Sequence, residues 1–189
     1  MDLDRFGLRP GISETLATTL GPRGRPHAAP TGLRRSGGRV EAVLYRPSRT
    51  LANVEASGAL IANVVEDPLL FVEAAFRDLG PARFSPTRHG PVLRAASAWV
   101  SFRARPERLE EGRVAFRLAP VAGRVARAAP RAPNRGFDGV LEATVHATRY
   151  AIFKDAGLLR RIRELEPVVL KCGGPRERKA WSRLMRFLE

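Results

Sequence analysis

Residues 48–63 read SRTLANVEASGALIAN. Ser48 is a favoured N-cap, Leu51 and Val54 supply an apolar side, and Gly58 suits the left-handed residue that closes a helix. The spacing therefore predicts a short helix of about two turns, and the apolar run ALIANVVE after it predicts a buried strand. The first N–H groups of a helix lack internal partners, and the helix dipole favours negative charge beside them. Arg49 can grip a phosphate through two parallel hydrogen bonds. Ser48 and Thr50 can donate hydroxyls, and Asn53 lies one turn further along the same face. The pattern is that of an anion site, although an ordinary capped helix with a solvated arginine satisfies the composition equally.

Upstream, ISETLATTL (12–20) reads as a strand and GPRGRP as a turn. HAAPTGLR returns as a second strand. Proline cannot donate to a ladder, so Pro30 places this strand at an edge or beside a bulge or a ligand. SGG at 36–38 predicts a hairpin, and RVEAVLYR a third strand. The small side chains of HAAPTG would let a flat ring lie against the backbone from His27 through Ala28, Ala29 and Pro30 to Thr31. A proline-guarded edge is the ordinary alternative.

Downstream, DPLLFVEAAFRDLG predicts a helix with Asp67 as N-cap, Pro68 at the first position, Gly80 as stop, and an apolar stripe of Leu69, Val72, Phe76 and Leu79. Residues 80–93 carry three prolines and no period, which predicts a long loop. AASAWVSFRAR and GRVAFRLAPVAGRV alternate as two further strands, followed by a Pro/Arg-rich loop over 127–137. From 137 the period becomes helical, with Phe137, Leu141, Val145, Thr148 and Ile152 on one face. Leu158, Ile162, Leu165 and Val169 continue it, and Pro167 predicts a kink. CGGP then breaks the chain before a last amphipathic helix carrying Trp181, Leu184, Met185 and Leu188. Glu142, His146 and Arg149 form a polar stripe that suits either a pocket or a solvated face. Asn134 and Arg135 stand just before that helix, where Arg135 could reach an anion. The expected division is 1–130 for a mostly β domain and 131–189 for a helical extension packed on it.

The totals limit the function classes. The 189 residues suffice for one domain with a real core, and the 44% hydrophobic and 28% charged content is that of a globular chain. The longest apolar runs are about half of the ~20 residues a membrane span needs. The start, MDLDRFGLRP, is acidic and lacks an apolar signal core. With a single cysteine, Cys172, these features predict a cytoplasmic protein. The net charge of +14 fits an anionic partner, but only Lys154, Lys171 and Lys179 among the 33 basic residues are lysine. An arginine- and alanine-rich chain is also what a GC-rich genome writes. His27, His89 and His146 have no metal-ligand spacing, so no metal is expected, and no GxSxG, Walker A or GxGxxG motif occurs. Aromatic residues, at 7%, do not alternate with arginine as single-strand RNA binders require, which makes nucleic acid an unfavoured partner.

HAAPTG, a hairpin, and then SRTLANVEASGALIANVVEDP together resemble the FMN-binding split-barrel superfamily. The recurring pattern there is a polar triplet ending in Thr, an Asn three residues on, then Gly and a strand ending in Asn. Here these are Ser48-Arg49-Thr50, Asn53, Gly58 and Asn63, with Arg49 standing where flavin reductases of that group usually carry an acidic residue. The whole chain is similar to one uncharacterised, flavin reductase-like family of unknown function, in the blocks DRFGLRPGISETLATT, AAPTG, SRTLANV, NVVEDPLLFVEAA, PNRGFDGVLEATVHATR and KCGGPRE.

The resemblance implies an α+β fold, a split β-barrel of meander or Greek-key type with a C-terminal helical extension. It implies a homodimer with FMN near the subunit interface. The phosphate would sit on Ser48, Arg49 and Thr50 with Asn53 close by, and the ring against His27 to Thr31. Asn63, Asn134 and Arg135 complete the expected cofactor-binding set. NADH or NADPH would supply the hydride under the loops at 80–93 and 128–136, and the link of some relatives with tetrahydromethanopterin-dependent one-carbon metabolism hints at a pterin substrate. No acid or base stands out, His27 and His146 being the candidates. Two other classes fit the residues: a flavin-binding carrier or sensor without turnover, and a basic RNA-binding protein using the arginines of the last helices.

Overall fold

Gly37 and Gly38, both at positive φ (53° and 78°), close a two-residue hairpin between Ser36 and Arg39, the geometry a type I′ turn demands. In a computed structural model of the chain, which describes residues 1–127 and 134–189, this hairpin joins β2 (Pro26–Ser36) to β3 (Arg39–Tyr45). β1 (Gly11–Leu20), β4 (Ala59–Val64), β7 (Ala98–Glu110) and β8 (Arg113–Val125) complete an antiparallel barrel in the order β1-β2-β3-β8-β7-β4, with β4 closing back on β1. Inward positions such as Leu33, Val40, Leu44, Leu60, Val100, Phe102, Phe116 and Leu118 form one core. Each such side chain contributes about 1.5–3 kcal/mol by leaving water. The split-barrel expectation is met.

The barrel is closed, but one seam is paired over only part of its length. The β2–β3 ladder runs only from Leu33↔Ala42 to Ser36↔Arg39, while β1 pairs with β2 along its whole length. The Pro26–Gly32 half of β2 is therefore laddered on one side only, among the described residues. Pro30, facing Leu16 across β1, lies in this half, as a residue without an N–H should.

α1 (Arg49–Ser57) joins β3 to β4, and it begins and ends where the local signals place it. Ser48 Oγ accepts the Leu51 N–H at 3.2 Å, and Gly58 adopts the left-handed region at φ 63° while donating to the Val54 carbonyl.

Two expectations for the barrel need correction. The 80–93 stretch is not a plain loop: β5 (Phe84–Thr87) and β6 (Gly90–Leu93) pair, with Pro86 opposite Pro91. Two facing prolines fit a pair whose N–H groups point away from the ladder, so no bond is lost. β7 also runs past Arg105 to Glu110, because the register shifts between Pro106 and Arg108 and this bulge absorbs the proline.

The helices α2 (Pro68–Phe76), α3 (Arg135–Phe153), α4 (Ala156–Glu164), α5 (Glu166–Cys172) and α6 (Pro175–Leu188) make a second compact unit. It takes Asp67–Arg77 out of the middle of the β region, so the units do not follow the 1–130 and 131–189 division. α2 stops at Phe76, before the expected Gly80; Arg77 is extended at φ −140°, with its guanidinium 5.0 Å from the centre of the Phe187 ring. Of the expected stripe, Val72 is buried and Leu69 and Phe76 pack against the core of the helical unit, while Leu79 lies beyond the helix; Pro68, Leu70, Phe71 and Ala74 are buried as well.

The largest correction concerns α3. Its buried face is Gly136, Gly139, Val140, Ala143, Thr144, His146 and Ala147, while Ile152 is 71% exposed. Small residues win this face because the packing is close: a Cβ on Gly136 would lie 2.4 Å from the Gly173 Cα. The helix break near Pro167 is present, with α4 ending at Glu164 and α5 opening at Glu166. No described helix is long and apolar enough to cross a membrane.

Candidate functional site

Ser48 spends its hydroxyl oxygen on the N–H of Leu51, so the first-turn amides of Arg49 and Thr50 have no partner among the described residues. Thr50 and Asn53 are buried, whereas the Arg49 side chain is 61% exposed. Its guanidinium does not wave free. Asp78 takes it in a two-pronged pair, Nη1 donating to Oδ2 at 2.7 Å and Nη2 donating to Oδ1. A guanidinium holds a phosphate in this same two-pronged geometry.

His27 approaches the same carboxylate. Its Nδ1 lies 3.6 Å from Asp78 Oδ1, is buried, and has no hydrogen-bond partner. Burial first, and the Arg49 charge second, hold His27 below its ordinary pKa, against the opposing pull of Asp78. Asp78 itself lies below the usual carboxylate range, chiefly through its hydrogen bonds to Arg49. Among the described residues this desolvated nitrogen has no hydrogen-bond partner, the Asp78 carboxylate standing just out of reach at 3.6 Å, and a buried polar atom left so is costly.

Asn53 is held from behind: its Nδ2 donates to Thr19 Oγ1 at 2.9 Å, on the β1 end that pairs His27 with Thr19. Gly21 leaves room for this amide, since a Cβ there would come 3.3 Å from Asn53 Oδ1. Ala28, Ala29, Pro30 and Thr31 lie along the one-sided half of β2, where the backbone has an open edge. The Thr31 carbonyl accepts the Thr15 hydroxyl at 3.0 Å.

Asn63 has a different occupation. Fully buried, it donates to the Leu16 carbonyl (2.8 Å) and Thr18 Oγ1 (3.0 Å) and accepts the Leu93 N–H (2.9 Å). Both amide hydrogens are engaged inside the fold, so the geometry gives Asn63 a structural part rather than a ligand contact.

Asn134 and Arg135 belong to the helical unit. Asn134 caps α3, its Oδ1 accepting the N–H groups of Gly136 and Phe137, and Arg135 is exposed. In the polar stripe of that helix, His146 Nε2 stands 3.2 Å from Glu142 Oε1, and His146 is buried with Nδ1 unpartnered. The expected loop at 128–136 falls mostly outside the described residues.

The residue that sequence reasoning missed is Asp78. It follows the end of α2 with no local pattern to mark it, and only the fold brings it to Arg49 and His27. Thr19, which holds Asn53, was equally unmarked in a Thr-rich strand.

Family models for the N-terminal domain of a protein of unknown function (DUF447) and for a second DUF447 domain match residues 13–127 and 134–186. The structure is similar to that of an FMN-bound DUF447 protein from Methanosarcina mazei, at 40% identity and a TM-score of 0.91, covering 98% of this chain and 99% of that one. The barrel is also similar to the styrene monooxygenase flavin reductase of Pseudomonas putida S12 (12% identity, TM-score 0.53, 61% of this chain and 82% of that one). A further match is an FMN-binding protein of Thermus thermophilus (13% identity, TM-score 0.54, 64% and 74%). At these identities the last two speak for the fold alone.

Proposed function

The chain belongs to the DUF447 family, and from that premise we propose that it is an FMN-binding flavoprotein of flavin reductase type. The observation that carries the reading is the α1 corner, where Arg49 already grips a carboxylate beside unpartnered first-turn amides. The FMN-bound relative, alike over nearly the whole length, supports reading that anion as the phosphate of FMN.

The residues fit the group. A phosphate would be held by the Arg49 guanidinium, the Ser48 and Thr50 hydroxyls and the first-turn amides of Arg49 and Thr50, with Asn53 fixed behind them by Thr19. The open half of β2 offers a flat, small-residue edge with backbone donors and acceptors for the ring. The unpartnered His27 Nδ1 suits a polar atom of a ligand. When bound, FMN would supply the hydride and electron chemistry; the chain binds it, orients it and excludes water.

NADH or NADPH is the proposed hydride donor, with a pterin as the second candidate, and a homodimer is part of the same reading. The resemblance to flavin reductases supports the nicotinamide donor and the homodimer, and the resemblance to relatives linked with one-carbon metabolism supports the pterin. The test is reconstitution with FMN followed by stopped-flow mixing with NADH, NADPH and a reduced pterin. A flavin spectrum that bleaches with one of them is expected. A colourless protein after reconstitution would overturn the reading, and a yellow protein that no donor bleaches would leave a flavin-binding carrier or sensor.

A further inference from the structure

The Arg49–Asp78 pair competes with the site it stands in. Arg49 has one planar fork, and a two-pronged carboxylate uses the face that a phosphate would need. Both partners are well exposed, at 61% and 63%, and exposed ion pairs are weak enough to open. Asp78 sits on the segment between Phe76, where α2 ends, and the short helical turn Pro81–Arg83; no other described side chain than Arg49 and His27 pairs with its carboxylate.

We propose that Asp78 is a specificity residue: an internal carboxylate that closes the anion corner and yields only to a ligand carrying a phosphate. The inference rests on the FMN reading above and extends it. A phosphorylated flavin offers a doubly charged group that can displace the carboxylate from Arg49. Riboflavin has no such group, gains nothing at Arg49 and leaves the clasp shut. Ligand selection then follows from a population argument. When only a fraction of molecules has Arg49 free, the apparent dissociation constant of a phosphate ligand rises by the inverse of that fraction. A clasp closed in about 70–90% of molecules weakens such a ligand about three- to tenfold and leaves an uncharged one unaffected.

The opened clasp also leaves Asp78 close to His27 Nδ1. A carboxylate released from Arg49 has that imidazole as its nearest described partner, so phosphate binding and the surroundings of His27 are linked through one side chain.

The experiment is calorimetric titration of wild type, Asp78→Asn and Asp78→Glu with three probes: FMN, riboflavin and inorganic pyrophosphate. Asp78→Asn keeps shape and removes charge; Asp78→Glu keeps charge, and its melting temperature and that of Asp78→Asn report folding. FMN binding about three- to tenfold tighter in Asp78→Asn, with riboflavin unchanged and Asp78→Glu close to wild type, is the expected result. Unchanged or weaker FMN binding in Asp78→Asn would overturn the proposal and make Asp78 a simple support for Arg49. If wild type binds neither flavin, the flavin reading falls by itself. Pyrophosphate then decides the clasp: tighter binding in Asp78→Asn upholds it, and equal binding refutes it.

Discussion

Asn63 Oδ1 accepts the backbone N–H of Leu93 at 2.9 Å, so a buried side chain of β4 fixes the second strand of the β5–β6 hairpin. The same amide donates to Leu16 and Thr18 on β1, and Thr18 in turn donates its hydroxyl to the Pro91 carbonyl at 2.5 Å. One carboxamide thus ties three strands together in the interior.

Replacing Asn63 by Leu keeps the volume and strands the Leu93 N–H and the Leu16 carbonyl without partners. An unsatisfied buried group costs about 1–3 kcal/mol, so Asn63→Leu should lower the denaturation midpoint by an amount corresponding to about 2–4 kcal/mol. The β5–β6 amides should lose hydrogen-exchange protection first. Unchanged protection at Leu93 would show that the hairpin is held by other means.

Arg49→Ala removes a charge-assisted grip on phosphate. It should weaken FMN binding by about 1.5–3 kcal/mol, roughly tenfold to over a hundredfold. Riboflavin affinity should barely change, and fluorescence titration with both ligands separates this from general damage.

The acid side of the stability profile should depend on His27. Its folded pKa lies below the ordinary value of 6.5, so the fold favours the neutral ring. That contribution is complete above pH 6.5 and is lost as pH falls below it towards the folded pKa. His27→Gln should flatten this limb. Since Arg49 lowers the His27 pKa and Asp78 raises it, Arg49→Ala should move the NMR titration of His27 to higher pH and Asp78→Asn to lower pH. Shifts in the same direction would contradict the arrangement.

Gly136→Ala tests the helical unit. The added methyl would lie 2.4 Å from the Gly173 Cα, so α3 must move away from the turn before α6. Such overpacking costs about 1–3 kcal/mol. A melting temperature equal to wild type would mean that the two segments separate freely.

Much of this was legible because its cause is local. Ser48, Gly58, Asp67 and the Gly37-Gly38 pair carry their backbone conformations in their own chemistry, and the elements begin or end there. Pro86 and Pro91 hid a hairpin because each excludes a ladder bond alone, whereas facing one another they exclude none. The buried face of α3 was misread because hydrophobicity was weighed by size, while close approach to Gly173 and Val169 selects for glycine and alanine. At the site, Ser48, Arg49, Thr50 and Asn53 announce themselves by position on one helix. Asp78 and Thr19 reach it only through the fold, and nothing in nearest-neighbour spacing points to them.

The seam at β2 has a kinetic consequence. Pro26 and Pro30 carry no N–H, so along Pro26–Gly32 only the few remaining amides that point away from β1 have no strand to receive them. Those protons should trade with deuterated water within seconds, in the midst of a sheet whose neighbours hold theirs for hours. A molecule that settles on this strip would finish the weave, and its arrival could be timed by watching those few positions fall silent.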